Sequence, residues 1–392
     1  SRYKRPYDSR ASRLNPYFLK RHQVSVRGAG FWKSKSFKTE LRGMAIGDVN
    51  GDGKNDMVLL EGIHLRVYTY DKGSLRQLAV HESLDNRRFL AVDVADINGN
   101  GRAEIFASKV RGPFVASEIL EMKGTRLKTI VGRSPWLFRV VTWPGKGKIL
   151  AGQRTAAHAD VQYHTGLIDS YFEPGIYAFT WNGSKYVKSQ EAPLLKLPNL
   201  FIFNFAVGEL GGDEGLEIVT IGQNDKLSLL DMEGNELYKS SEYFGGTINF
   251  LVPGAGQAAD HPDASSSIRR DNIYIPARIL ITDLDKNGKN EVIVNKNASA
   301  VHGITERFKA FEEGIIVSLD WTGVSLEPIW ESRKLTGCLS DYQVDDLDGD
   351  GKPDLVVSLI QKRAIKAVEL PRSVVVSYHL STDEGEEQEK KQ

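Results

Sequence analysis

The stretch Asp48-Val-Asn50-Gly-Asp52-Gly-Lys54-Asn-Asp56 constrains this chain more than any other, because its pattern returns three times. The repeats are Asp96-Ile-Asn98-Gly-Asn100-Gly-Arg102-Ala-Glu104, Asp283-Leu-Asp285-Lys-Asn287-Gly-Lys289-Asn-Glu291 and Asp346-Leu-Asp348-Gly-Asp350-Gly-Lys352-Pro-Asp354. Side-chain oxygens stand at positions 1, 3, 5 and 9, and glycine stands at position 6. One tight turn can then wrap four side-chain oxygens and the carbonyl of residue 7 around a single hard cation. The expected ligands are thus Asp48, Asn50, Asp52, Asp56 and the Lys54 carbonyl in the first loop. In the second they are Asp96, Asn98, Asn100, Glu104 and the Arg102 carbonyl. The third has Asp283, Asp285, Asn287, Glu291 and the Lys289 carbonyl, and the fourth Asp346, Asp348, Asp350, Asp354 and the Lys352 carbonyl. An all-oxygen set of this kind suits Ca²⁺.

An EF-hand loop opens the same way but requires a bidentate Glu at position 12 and flanking helices. Here position 12 is Leu59, Ala107, Val294 or Val357, and the ninth residue leads directly into a short apolar run. The context is strand, loop, strand. Counting carboxylates at positions 1, 3, 5 and 9 gives four for the loop at Asp346, three for those at Asp48 and Asp283, and two for the loop at Asp96, and affinity should follow that order. A degenerate version, Glu209-Leu-Gly-Gly-Asp213-Glu-Gly-Leu-Glu217, lacks a ligand at position 3 and glycine at position 6, and should bind no metal.

The first and last loop aspartates, Asp48 and Asp346, stand 298 residues apart. Five steps divide that interval into a period of about 60, with one loopless unit near residues 140–152. Each unit runs in the same order. An alternating strand enters the loop, an apolar strand leaves it, a third strand ends at a glycine-containing hairpin turn such as Tyr70-Asp-Lys-Gly73, and a fourth follows at once. Three of the fourth strands carry an aromatic, a charge and a serine: Trp32-Lys-Ser34, Tyr238-Lys-Ser240 and Trp330-Glu-Ser332. Helical periodicity is nearly absent.

The expected fold is therefore all-β: a single β-propeller of four-stranded antiparallel blades spanning residues 23–380. Six units are countable, beginning near residues 41, 89, 137, 202, 277 and 340. A seventh blade is possible if Gln23-Val-Ser-Val-Arg27 is also a strand. The last unit lacks a fourth strand while residues 31–37 supply an orphan one, so the N-terminal strand should close the ring against residues 373–380 and remove both open edges. Residues 1–22 are basic and aperiodic and read as a linker or arm, whereas residues 381–392 are acidic, have no apolar side chain, and read as a disordered tail.

Composition removes several classes. Lys and Arg together equal Asp and Glu at 51 each, which gives no global reason to expect a nucleic-acid partner. No run approaches 18 apolar residues, so there is no transmembrane segment. The chain starts at Ser1 without a signal peptide and reads as a trimmed or processed product. The single cysteine, Cys338, excludes an internal disulfide framework and reads as a small buried apolar residue. His158, His164, Asp160 and Asp169 cluster in one insertion, and Asp260-His-Pro-Asp263 in another, but neither spacing fits a standard metal or acid/base motif, and polar loops are the expectation.

With Gly before Asp in Ala-Ile-Gly-Asp48-Val-Asn-Gly-Asp-Gly, the loops resemble the FG-GAP or VCBS repeats of integrin α-chain propellers and of many exported bacterial proteins. The resemblance covers roughly residues 23–380. It implies the propeller fold and Ca²⁺ as the ion. It also implies an extracytoplasmic setting (periplasm, outer-membrane surface or secreted) and a separate domain preceding this one in a bacterial protein.

Two functions compete. One is a calcium-stabilised interaction module presenting loops to a protein or glycan partner, with the insertions at 151–175, 245–276 and 296–314 as candidate surfaces. The alternative is a propeller enzyme, of polysaccharide lyase or glycosidase type, with its site on the central axis. Catalysis there would need polar side chains converging from the inner strands, and those strands read as mostly apolar. No catalytic residue is therefore expected.

Overall fold

The computed structural model describes residues 31–83, 87–111, 114–156, 168, 171–211, 215–252, 272–298, 311–362 and 370–380. The basic arm, the acidic tail, residues 23–27, the clusters at His158–His164 and Asp260–Asp263, and much of the three insertions lie outside these residues.

Among the described residues six blades, each built on four antiparallel strands, succeed one another along the chain; short extra strands, Phe114–Val115 and Leu335–Thr336, join blades 2 and 5, and Phe250–Leu251 pairs with Ile273–Tyr274 apart from them. Blade 1 comprises Leu41–Gly47, Asp56–Glu61, His64–Asp71 and Ser74–Glu82. Blade 2 comprises Arg88–Ala95, Glu104–Arg111, Ser117–Lys123 and Arg126–Ser134, and blade 3 Trp136–Trp143, Gly147–Arg154, Tyr177–Trp181 and Tyr186–Lys188. Blade 4 comprises Phe205–Gly208, Glu217–Ile221, Lys226–Leu230 and Glu236–Tyr243, and blade 5 Leu280–Thr282, Glu291–Ala298, Glu313–Trp321 and Leu326–Glu331. Blade 6 has Cys338–Asp345, Asp354–Lys362 and Arg372–His379, and Phe31–Lys33 pairs with its third strand, Phe31 opposite Tyr378 and Trp32 opposite Ser377. A further bridge joins Phe37 to Ser373. The molecule is an all-β, six-bladed propeller.

Strand position in the blade explains strand composition. The second strand of blade 1, Asp-Met-Val-Leu-Leu-Glu, is buried at five of its six residues because it is covered on both faces by neighbouring blades. The fourth, Ser74–Glu82, alternates and is mostly exposed. Six apolar cores result, one between each pair of consecutive blades. That between blades 6 and 1 joins Val356 and Val375 to Met44, Ile46 and Met57, and that between blades 1 and 2 joins Val58 and Val67 to Val92 and Ile105.

The serines of the fourth strands have a specific role. Ser34, Ser240 and Ser332 each accept a backbone N–H from the third strand of their blade, from Val375, Leu227 and Ile316 at 2.9, 3.0 and 2.9 Å. Each hydroxyl then donates to a carbonyl one or two residues on, closing the strand end.

Two inner-strand glycines let blades approach at the axis. A Cβ on Gly47 would lie 2.6 Å from Val94 Cγ1, and one on Gly208 2.4 Å from Ile281 Cγ2. This accounts for the glycine that precedes the loop acid in blades 1 and 4.

The inner strands are mostly apolar, as their sequence suggested, but a few polar side chains among them serve the axis. Their axial edges have no strand partner, so their backbone groups need side-chain partners. Asp341 Oδ2 accepts the Met44 N–H at 3.1 Å, Gln343 Oε1 that of Ile46 at 3.1 Å, and Asp93 Oδ2 that of Val140 at 2.9 Å. In each case a side chain from one blade caps the edge of the next.

Candidate functional site

All loops that join first to second strands emerge on one face of the ring. Blade 3 has only the turn between Trp143 and Gly147 there, as its missing loop implied. Within each loop the position-1 aspartate is a hub. Asp48 Oδ1 accepts the N–H groups of Gly51 and Asp52 at 2.7 and 3.1 Å, and its Oδ2 accepts that of Gly53 at 2.8 Å. Asp96 and Asp346 repeat this pattern, and Asp283 accepts from Asn287 and Gly288. Position 4 needs a left-handed backbone. Gly51, Gly99 and Gly349 supply it without strain, whereas Lys286 adopts φ +57° with a side chain attached.

Position 5 carries its oxygen towards the turn, Asp52, Asn100, Asn287 and Asp350 each accepting the N–H of position 7, namely Lys54, Arg102, Lys289 or Lys352. The position-3 oxygens of Asn50, Asn98, Asp285 and Asp348 accept the N–H of position 5.

Position 9 is the chemically informative one. Asp56, Glu104, Glu291 and Asp354 are each no more than 2% exposed. One oxygen of each ties back to an N–H at the start of the loop, that of Asn50, Ile97, Leu284 or Leu347. The second oxygens of Asp56, Glu104 and Asp354 accept no hydrogen bond. The Thr69 and Tyr186 hydroxyls lie close enough to steady the first two, and His379 Nδ1 pairs with Asp354 Oδ1 at 2.8 Å. Burial pushes Asp56 up to about 6, helped by Asp52 and Asp48. Burial likewise brings Glu291 to about 7, with Asp285, Asp283 and Asp320 adding to it, and Asp354 to about 6 against the opposing pull of His379. Glu104 is raised by the same desolvation. A buried carboxylate oxygen without a donor is what a cation ligand looks like before the cation.

Convergence differs among loops. Asp283, Asp285 and Glu291 each offer an oxygen within 4.8 Å of the others, as do Asp346, Asp348 and Asp354. Asp348 and Asp350 also gather with His379. In the first loop the Asp52 carboxylate is held by the Asn50 amide at 3.0 Å. The second loop gains a carboxylate its own nine residues lack, because Glu121 Oε2 accepts from the amides of Asn98 and Asn100 at 3.3 and 2.9 Å. Glu121 and His379 were missed by sequence reading. Both stand on third strands, His379 paired with Asp354 and Glu121 one residue past the Ile105–Leu120 pair, and only the strand register brings them there.

Consecutive loops are also tied to one another. Asn55, at position 8 of the blade 1 loop, donates to the Asp346 carbonyl at 2.7 Å and to Asp345 at 2.8 Å. The N–H of Ala103 in blade 2 donates to the Asp48 carbonyl at 2.8 Å, and Asn290 in blade 5 to the Glu209 carbonyl at 3.0 Å. In the degenerate loop Glu217 keeps the structural bond, accepting from the Leu210 N–H at 2.9 Å.

On the axis, Arg278 binds Asp341 through Nε and Nη2 at 2.8 and 2.9 Å, Asp93 through Nη1 at 2.9 Å and the Met44 carbonyl at 2.8 Å. Burial alone would lower its pKa, but Asp341 and Asp93 hold it above the ordinary arginine value. Arg139 approaches Asp93 at 3.3 Å. Cys338 is buried beside Ile248 and Ile360.

Six blades, four of them carrying an acid-rich first loop, make a β-propeller with FG-GAP-like repeats. Residues 48–107 match the family model described as FG-GAP-like repeat, an interval that runs from the blade 1 loop into the second strand of blade 2. No curated protein matches. Among solved structures, BBS1N in complex with ARL6DN is similar at 12% identity over 89% of this chain and 97% of that one, with a TM-score of 0.44 for the mercury-soaked crystal. The lead-soaked crystal gives 13%, 89%, 97% and 0.42. The Dos1 propeller gives 7% identity over 86% of this chain and 67% of that one, with a TM-score of 0.34. Among the described residues no helix is long and apolar enough to cross a membrane.

Proposed function

We propose that this propeller is a calcium-stabilised interaction module that works outside the cytoplasm and presents its loops to a protein or glycan partner. The observation that carries the calcium reading is the set of buried ninth-position carboxylates, which in the loops at Asp283 and Asp346 converge with the acids of positions 1 and 3. Ca²⁺ would be held by the position 1, 3, 5 and 9 oxygens with the carbonyls of Lys54, Arg102, Lys289 and Lys352. It would supply the positive charge that these carboxylates lack. Weak oxygen-ligated sites of this kind, with Kd of roughly 10⁻⁴ to 10⁻³ M, suit an extracellular calcium level.

Binding is favoured over catalysis because the axial carboxylates are committed. Asp93 and Asp341 already accept from Arg278 and from backbone N–H groups, so neither is placed as a general base. Thermal unfolding with calcium and with chelator tests the metal, and an unchanged melting temperature for both the parent and Asp354→Asn would overturn it. Pull-down from an envelope fraction with and without chelator tests the partner. Capture that is indifferent to calcium would separate the loops from the interaction.

A further inference from the structure

The axial cluster borders a cavity of about 300 Å³ whose lining includes the loop-facing ends of the inner strands of blades 2 to 6. It therefore opens at the centre of the face that carries the acidic loops. Its polar lining is unevenly satisfied. Asp93 accepts from Arg278 and the Val140 N–H. Asp345 accepts from Asn55 at 2.8 Å, from Gln343 at 3.2 Å and from the Asp346 N–H at 3.0 Å. The cations are less occupied. Among the described residues Arg139 has only Nε near Asp93 and a contact over the Phe203 ring, and its two terminal nitrogens make no hydrogen bond yet are not sealed from the cavity. Lys148, exposed at the mouth, makes no hydrogen bond among the described residues and acts on Asp345 only through its charge.

A guanidinium fork held in place by its Nε, with both outer nitrogens open to a cavity, is arranged to take a planar or tetrahedral oxyanion with two parallel hydrogen bonds. The rest of the wall is mixed, with Phe205, Val207, Ile281 and Val344 giving an apolar side beside Thr142, Thr282 and Gln343. That apolar side would cover a hydrocarbon body rather than a bare ion. We infer that the axial cavity binds a small organic oxyanion, a carboxylate or phosphate monoester, with Arg139 as the bidentate anchor and Lys148 as the second cation at the mouth. The volume lies at the small end of ligand pockets, so the occupant is a compact molecule or the tip of a larger one.

The test is calorimetric titration of the intact calcium-loaded chain with benzoate, phenyl phosphate, inorganic phosphate and neutral benzamide. Saturable binding of benzoate or phenyl phosphate, with benzamide silent and inorganic phosphate weaker, is expected, and which organic anion binds tighter identifies the preferred head group. Lys148→Ala should weaken binding about fivefold, and Arg139→Gln at least about tenfold. Arg139→Lys should fall between parent and Arg139→Gln, because it keeps the charge and loses the fork. Each variant is checked for unchanged calcium-dependent melting, which separates loss of the site from loss of fold. Should Arg139→Gln melt early, Lys148→Ala carries the test alone. No saturable heat up to about 10 mM of either organic anion, equal binding of benzamide, or undiminished binding by the folded variants would overturn the assignment.

Discussion

Replacing Arg278 by Met removes the one side chain that touches both Asp93 and Asp341. Its guanidinium is 9% exposed and the two carboxylates are similarly buried, so the variant leaves Asp341 in the interior without its ion-pair partner and Asp93 with only Arg139, at 3.3 Å, beside it. Breaking a buried pair in this way costs about 3–5 kcal/mol, because the orphaned charge keeps its desolvation penalty. With an unfolding entropy of about 2 cal/mol/K per residue over roughly 350 cooperative residues, that corresponds to a fall of about 4–7 °C in melting temperature. The sign with pH follows from the orphaned groups. A buried carboxylate that has lost its cation is relieved by taking up a proton, so the deficit of the variant shrinks as pH falls. Guanidinium unfolding at pH 5 and pH 8 should therefore show a smaller gap between variant and parent at pH 5. Adding Asp93→Asn and Asp341→Asn keeps acceptors for Val140 and Met44 while removing both charges, and should restore more than half of the loss. An Arg278→Met deficit below about 1 kcal/mol, or one equal at both pH values, would refute the reasoning.

Metal-free protein should lose stability as pH rises through about 6 to 7, because Asp56, Asp354 and Glu291 have folded pKa values raised above their unfolded ones. The cost is on the order of 2 kcal/mol per buried carboxyl, and calcium added at pH 8 should reverse it in a melting series. Gly208→Ala should lose about 1–3 kcal/mol through its clash with Ile281, measured by chemical unfolding, while the parent's calcium affinity is retained. Deleting residues 1–40 removes the strand paired to Arg372–His379, and light scattering should report aggregation from the bared edge. Asp348→Ala should abolish more of the calcium-dependent melting shift than Asn98→Ala, since Asp348 lies among converging carboxylates and Glu121 remains beside the second loop after the Asn98 change.

What the sequence made legible is what a short segment can specify alone. A loop that wraps a cation fixes residue types at set spacing, so Asp48, Asp96, Asp283 and Asp346 mark the blades. Blade 3, which has no loop, is visible by its place in the period. The Trp/Tyr-charge-Ser strands are likewise local, because Ser34, Ser240 and Ser332 each serve their own blade. Inner-strand starts fall at residues 41, 88, 136, 205, 280 and 338, displaced by up to three residues from the sequence reading where the strands are shortest. The axial cluster is illegible for the opposite reason. Asp93, Arg139, Arg278 and Asp341 come from four different blades, and each alone resembles a stray charge in an apolar run. Their meaning depends on an inner edge with no strand beside it, which exists only once the ring is formed. Glu121 and His379 are hidden by register, since nothing in their own segments says which loop residue they will face.

The ties between neighbouring loops divide the rim into separate circuits. The blade 6 loop is bonded to that of blade 1 through Asn55, and the blade 1 loop to that of blade 2 through Ala103. Pro353, at position 8 in blade 6, has neither an N–H nor a side-chain donor to reach back towards blade 5. The blade 5 loop instead bonds the degenerate loop of blade 4 through Asn290. If all four loops take calcium, ordering one loop of the 6-1-2 arc would fix a carbonyl that its neighbour must also hold in place, and the three ions of that arc would share part of their ordering entropy and bind with positive cooperativity. An ion in the blade 5 loop would have only the degenerate loop beside it and would fill as an independent site, which would make calcium uptake biphasic and Asn55→Ala the substitution that uncouples blade 6 from blade 1.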